Sequence, residues 1–286
     1  MKPKITNNIN SFKVPKSILL TGKFLQTINT NLATKFAARI FGTPLKFKIP
    51  ERELMMRDSA KNELFEIDSI DKKVMVYRYG FSKKKILIVH GWAGRGTQLY
   101  QLADKILENK MMVVSFDGPA HGLSSGKTTV ITDFIETIHQ IDKEYGPFDA
   151  AIGHSFGAMS LLNAVAKGLD IKKLVLIGAD NSIREITQQF VKKIELKPII
   201  AKKLEKLFYE KFNVNIEEYS SYNAAKNVNI PTLVIHDSED KFVPVSSAIT
   251  IRQNLKNGEL LMTNGLGHHK IFKDNVVIQR IIDFIQ

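Results

Sequence analysis

The chain contains no cysteine and one tryptophan, Trp92, among its 286 residues. Lack of cysteine excludes disulfides, thiolate metal sites and a cysteine nucleophile. No apolar run approaches the roughly 18 residues that cross a bilayer. The start, Met1-Lys2-Pro3-Lys4, is basic, yet the roughly 7–15 apolar residues of a secretory signal do not follow it. The expected location is therefore the cytoplasm. Acids are missing from residues 1–50, which hold nine basic side chains. Nine of the net +12 charges thus belong to this stretch, and three are left for residues 51–286. No nucleic-acid partner is expected, because neither interleaved aromatics nor a known module accompanies the charge. No histidine pair has ligand spacing backed by carboxylates, so no metal is expected.

What is present suits a large α/β fold. A hydrophobic fraction of 44% with 24% charged residues is ordinary for a globular protein, and the length allows a substantial core. Residues 16–41 carry an apolar ladder of Leu20, Phe24, Ile28, Leu32, Phe36 and Ile40. Its four-residue step drifts around a 3.6-residue helix, so two short amphipathic helices are expected. Asn29-Thr30-Asn31 caps the second, and Gly42 with Pro44 stops it. The ladder is expected to pack on the main domain near the cap or the early strands; peripheral contact of residues 1–50 with an anionic membrane and organelle targeting are the alternatives.

Beyond residue 50, strands and helices alternate. Strands are expected at 64–67, 74–79, 86–90, 112–116, 150–153, 174–177, 233–236 and 260–262. Helices are expected at 98–109, 130–144, 156–167, 245–255 and 275–285. Near-continuous apolar runs such as Ile86-Leu87-Ile88-Val89 fit strands buried on both faces of a parallel sheet. The alternation predicts a doubly wound, mostly parallel sheet. Between the strands at 177 and 233, residues 182–226 read as a small helical cap over the strand ends. The expected division is an extension at 1–50 and a main domain at 51–286 carrying this cap.

The motif that carries chemistry is Gly153-His154-Ser155-Phe156-Gly157, set between a strand and a helix. A serine there sits on a turn tight enough that its neighbours must lack side chains. The turn lifts Oγ above the sheet edge, where the helix N-terminus adds partial positive charge. A nucleophilic serine needs a base and a third group that orients it. Acids follow the late strands at Asp180, Asp237 and Asp240, and Gly265-Leu266-Gly267-His268-His269 follows the last strand. Asp240 is favoured over Asp237 and Asp180, and His268 over His269. His90 and His121 are expected to bond backbone within tight loops, His154 to point away from the chemistry, and Asp117 to be structural.

Residues 85–286 resemble the α/β-hydrolase superfamily, esterase/lipase-like members in particular. The likeness rests on His90-Gly91-Trp92-Ala93-Gly94, Asp117-Gly118-Pro119-Ala120-His121-Gly122, the Gly-His-Ser-x-Gly turn and the two late loops, in that order. The first loop lacks the His-Gly-Gly-Gly form of some lipases, and Ala120 stands where glycine is common. The resemblance implies Ser155 as nucleophile, Asp240 as orienting acid and His268 as base, with the Trp92 and Phe156 N–H groups as oxyanion hole. It implies a cofactor-independent serine hydrolase acting on small-molecule carboxylic esters. Thioester or aminopeptidase-like cleavage stays open, as does a non-catalytic binding protein. Oligomeric state is not legible.

Overall fold

The computed structural model describes residues 14–212 and 215–286. The basic residues Lys2, Lys4 and Lys13, and residues 213 and 214 of the expected cap, lie outside them. The chain divides into two compact units: Met1–Phe41 with Arg184–Asn213, and Gly42–Ile183 with Val214–Gln286.

The larger unit is built on eight strands. They are β1 (Lys61–Ile67), β2 (Lys72–Tyr79), β3 (Lys85–Val89), β4 (Met112–Phe116), β5 (Phe148–His154), β6 (Ile171–Ile177), β7 (Thr232–Asp237) and β8 (Gly258–Thr263). All eight expected strands are present, each within a few residues of its expected limits. They form one sheet in the order β1-β2-β4-β3-β5-β6-β7-β8. β2 pairs antiparallel with β1 and β4, and every later pairing is parallel. The central strands are buried on both faces, as their apolar runs require. Ile86, Ile88, Ile152, Val175 and Ile235 join one core cluster with Leu102, Ile106, Ile281 and Ile282. Leu87, Val89, Ala151 and Leu176, one residue out of phase, are equally buried on the opposite side. Each of the Ile, Leu and Val side chains contributes roughly 1.5–3 kcal/mol by leaving water.

Twelve helices occur among the described residues. The smaller unit takes α1 (Lys16–Ile28), α2 (Thr30–Phe41), α8 (Ile199–Phe212) and all but the first residue of α7 (Ile183–Lys193). The larger takes α3 (Glu51–Ser59), α4 (Tyr100–Glu108), α5 (Ile131–Tyr145), α6 (Phe156–Ala166), α9 (Ser221–Ala225), α10 (Val245–Asn254), α11 (Gly267–Lys270) and α12 (Asn275–Ile285). α12 starts where the Asp274 carboxylate accepts from the Val276 and Val277 amides. α3 has no counterpart in the sequence reading, because its Glu-Arg-Glu-Leu-Met-Met run has no clear stripe. It buries Glu53, which accepts from the Thr97 hydroxyl at 2.8 Å.

The N-terminal helices, expected to pack near the cap or the early strands, cluster with the inserted helices in the smaller unit. The insertion ends earlier than expected: α9 belongs to the larger unit, where Ala224 and Ala225 are buried and Asn163 Nδ2 donates to the Tyr219 carbonyl at 2.9 Å. Small residues decide the packing of the smaller unit. A Cβ on Gly22 of α1 would come 3.2 Å from the Leu196 side chain, and Ala33, Thr34 and Ala37 form the buried face of α2. The Phe41 ring meets Phe190 edge-on at 5.0 Å and Phe208 at 5.8 Å. Lys23 pairs with Glu195, and Lys203 donates to Thr30 Oγ1 and Asn31 Oδ1 at 2.7 Å. As expected, Asn29 caps α2, its Oδ1 accepting from the Asn31 amide at 2.7 Å. Leu20, Phe24, Ile28 and Leu32, expected to pack, instead face outward.

Candidate active site

β5 delivers the chain directly into the turn at Ser155, and α6 begins one residue later. Ser155 has φ 53° and ψ −118°, a left-handed backbone for a residue with a side chain. Such a conformation costs on the order of 1–3 kcal/mol and persists only when its surroundings enforce it. Here they do. A Cβ on Gly157 would lie 2.4 Å from the Val89 and His90 carbonyl oxygens, and one on Gly153 would lie 2.6 Å from the Ala158 backbone. The absence of both side chains lets α6 start against β3 and β5 and turns Ser155 outward.

The loops after β7 and β8 bring two further groups to this turn. Ser155 Oγ lies 3.0 Å from His268 Nε2, and His268 Nδ1 lies 2.6 Å from Asp240 Oδ2. Burial pushes the Asp240 carboxyl up, but the hydrogen bond and charge of His268, with the Val243 and Phe242 amides, outweigh it and hold the carboxyl below its ordinary value. An ionised Asp240 accepts the Nδ1 proton of His268, which leaves Nε2 as a lone pair facing the serine hydroxyl.

The alternative acids are engaged elsewhere. Asp237 ties the two late loops, accepting from Thr263 Oγ1 at 2.6 Å and from the Glu239 and Leu266 amides at 3.0 Å. Asp180 Oδ1 accepts from the Asn181 amide at 2.7 Å and the Ser247 hydroxyl at 3.4 Å. His269 is exposed, with its ring 5.1 Å from that of Phe242.

The loop after β3 sits beside the turn. The Trp92 ring meets Phe156 edge-on at 5.2 Å, so the two residues expected to supply backbone donors are neighbours. The loop after β4 braces it. His121 Nε2 accepts from the Ala93 amide at 3.1 Å while its Nδ1–H donates to the Pro119 carbonyl at 3.0 Å. His90 Nε2 accepts from the Gly118 amide at 2.8 Å, and its Nδ1–H donates to the Gly91 carbonyl at 2.7 Å. Each imidazole must be neutral to accept, and burial drives their pKa values down, to about 4 for His90 and about 3 for His121. Asp117 accepts from the Gly96 and Leu123 amides, both at 2.7 Å, and from the Tyr77 hydroxyl at 3.1 Å, a structural engagement as expected. Ala120, where glycine is common, adopts φ 67°.

His154 differs from expectation. Its Nε2 lies 2.9 Å from the His268 carbonyl, and its ring centroid is 4.7 Å from that of His268. No sequence signal links residues 114 positions apart. Among the described residues, no group of His, Cys, Asp and Glu could hold a metal ion.

This arrangement lies at the carboxyl ends of the parallel strands, beside β3, whose neighbours β4 and β5 follow it in sequence on opposite sides. A family described as alpha/beta hydrolase fold matches residues 84–210, and one described as TAP-like protein matches residues 214–286. No protein with a curated description matches the sequence. Among solved structures, the chain resembles an esterase from Exiguobacterium antarcticum at 15% identity and a TM-score of 0.62, over 79% of this chain and 99% of that one. A bromoperoxidase from Bacillus anthracis matches at 16% identity and a TM-score of 0.62, over the same shares. A membrane phospholipase A described as a bacterial virulence factor matches at 15% identity and 0.63, over 95% of this chain and 98% of that one. At these identities the likeness is one of fold. By sheet order, the turn after β5 and the two family matches, the chain has the α/β-hydrolase fold.

Proposed function

We propose that this hydrolase-fold protein is a serine hydrolase that cleaves carboxylic esters through an acyl-enzyme. The observation that carries the reading is the linear relay Ser155 Oγ–His268–Asp240, with separations of 3.0 and 2.6 Å. Ser155 Oγ attacks the ester carbonyl carbon and its proton passes to His268 Nε2. The carbonyl π pair moves onto oxygen, where the Trp92 N–H in the loop after β3 and the Phe156 N–H at the start of α6 stabilise it. Collapse breaks the bond to the alcohol oxygen, which leaves with the proton from His268. Water then repeats the sequence on the acyl-serine and releases the acid. Asp240 fixes the imidazole tautomer and stabilises its cation.

The test is a fluorophosphonate probe, which phosphonylates only an activated serine, combined with an aryl-ester assay. Labelling at Ser155 and ester turnover should both vanish in Ser155→Ala while the melting temperature is kept. Unlabelled wild-type protein, or labelling that survives the substitution, would overturn the reading.

A further inference from the structure

The smaller unit carries a charge and an apolar face that the ester chemistry does not use. It holds fifteen Lys and Arg against four Glu, a net +11 of the chain's +12, so the larger unit is almost neutral. α1 is apolar on both sides. Its inner side, with Gly22, Leu19 and Leu25, packs within the unit. On the other side stand Leu20, Phe24 and Ile28, exposed by 68%, 64% and 60%. Positions four apart span about 80° of helix surface over three residues, so these form one stripe. Leu32 of α2 is 45% exposed. Exposed Lys16 and Lys35 stand on these outward faces, as does Lys23, whose charge is shared with Glu195. Neither helix has an acid.

Large apolar side chains in a row, open to solvent and bordered by cations, are costly in water and fit an interface between headgroups and acyl chains. Among the described residues no helix is long and apolar enough to cross a membrane. A 13-residue helix is about 20 Å long against a hydrocarbon core of roughly 30 Å. A second protein chain would match the apolar stripe, but it would leave the concentration of positive charge unexplained. We propose that the outward faces of α1 and α2 dock on an anionic bilayer surface, with Leu20, Phe24 and Ile28 entering the interface and Lys16 and Lys35 facing the lipid phosphates.

The experiment is co-sedimentation of the full chain with phosphatidylcholine vesicles, with and without about one-third phosphatidylglycerol. Binding should require the anionic lipid and fall steeply between low and high salt. Leu20→Ser/Phe24→Ser/Ile28→Ser should lower the partition coefficient at least tenfold, and Lys16→Gln/Lys35→Gln should lower it roughly fivefold per lysine on anionic vesicles. Because these side chains are exposed, melting temperature and size-exclusion volume should not change. Equal binding to both vesicle types, binding unaffected by the triple substitution, or no binding by the wild-type chain would overturn the proposal. So would a wild-type dimer that the triple substitution converts to monomer, which would assign the stripe to a second copy of the chain. None of these readouts depends on ester turnover, so the proposed chemistry and this surface fail separately.

Discussion

His154 Nε2 donates to the carbonyl oxygen of His268, with 2.9 Å between them, and the two rings lie 4.7 Å apart. The turn that carries Ser155 therefore also holds the backbone of the residue facing Ser155 Oγ. Burial keeps His154 neutral, its pKa well below the ordinary value. His154→Phe keeps an aromatic ring but removes the donor, leaving a buried carbonyl unpaired. Esterase kcat should fall about tenfold with KM unchanged, and His154→Gln should recover part of it. A loss of melting temperature without a loss of kcat would make the contact structural only.

Asp240→Asn should reduce kcat by about 10⁴ if the residue acts as the acid of a serine triad, because the amide holds the imidazole in the wrong tautomer. Asp180→Asn should change kcat little, since the carboxylate accepts from the Asn181 amide and the Ser247 hydroxyl while His268 is held by Asp240. Asp237→Asn should lower stability more than kcat, because its carboxylate joins the loops after β7 and β8. Steady-state kinetics beside thermal melts of the three variants check this ordering.

Stability should fall below about pH 6.5, before the carboxylates titrate. His90, His121 and His154 are buried, and their native pKa values are all lowered. The unfolded chain takes up protons near pH 6.5 while the native state does not. The stabilisation is thus complete above that pH and is lost as pH drops towards the native values of about 4 for His90 and about 3 for His121. At pH 5.5 the loss is about 1.4 kcal/mol for each histidine and about 4 kcal/mol for the three. Urea denaturation at pH 7.5 and 5.5 measures it, and a flat profile would contradict the neutral assignments.

Gly157→Ala should be severely destabilising, by about 3 kcal/mol or more, since its Cβ would meet two backbone oxygens at 2.4 Å and neither can rotate away. Chemical denaturation checks this. A variant of wild-type stability would mean that α6 can withdraw from β3 at little cost.

The eight strands and the Ser155 turn were readable because their signals are local: buried parallel strands are apolar runs, and the tight turn demands small neighbours. That acids and a glycine-flanked histidine pair follow the late strands was readable as well. Three features were not. Asp237, Asp180 and Asp240 look alike in sequence, and only the 2.6 Å contact with His268 separates them. The partner of His154 lies far along the chain. The N-terminal ladder misled because large apolar residues dominate a periodicity, whereas Gly22, Ala33 and Ala37 are the positions that let helices approach. Amphipathic spacing shows that a helix has an apolar face; it does not show which face a neighbour covers.

The discontinuity of the smaller unit has a consequence for biosynthesis. α1 and α2 leave the ribosome before α7 and α8, which are encoded roughly 140 residues later. At typical elongation rates the first pair waits on the order of ten seconds for these partners, with the outer apolar stripe of α1 and the inner face of α2 uncovered. Through that interval the nascent chain presents a cationic, two-faced hydrophobic hairpin while the sheet is still being made. It is then that the polypeptide is most open to capture by a chaperone or by a nearby bilayer, and either would reach it before Ser155 has its partners.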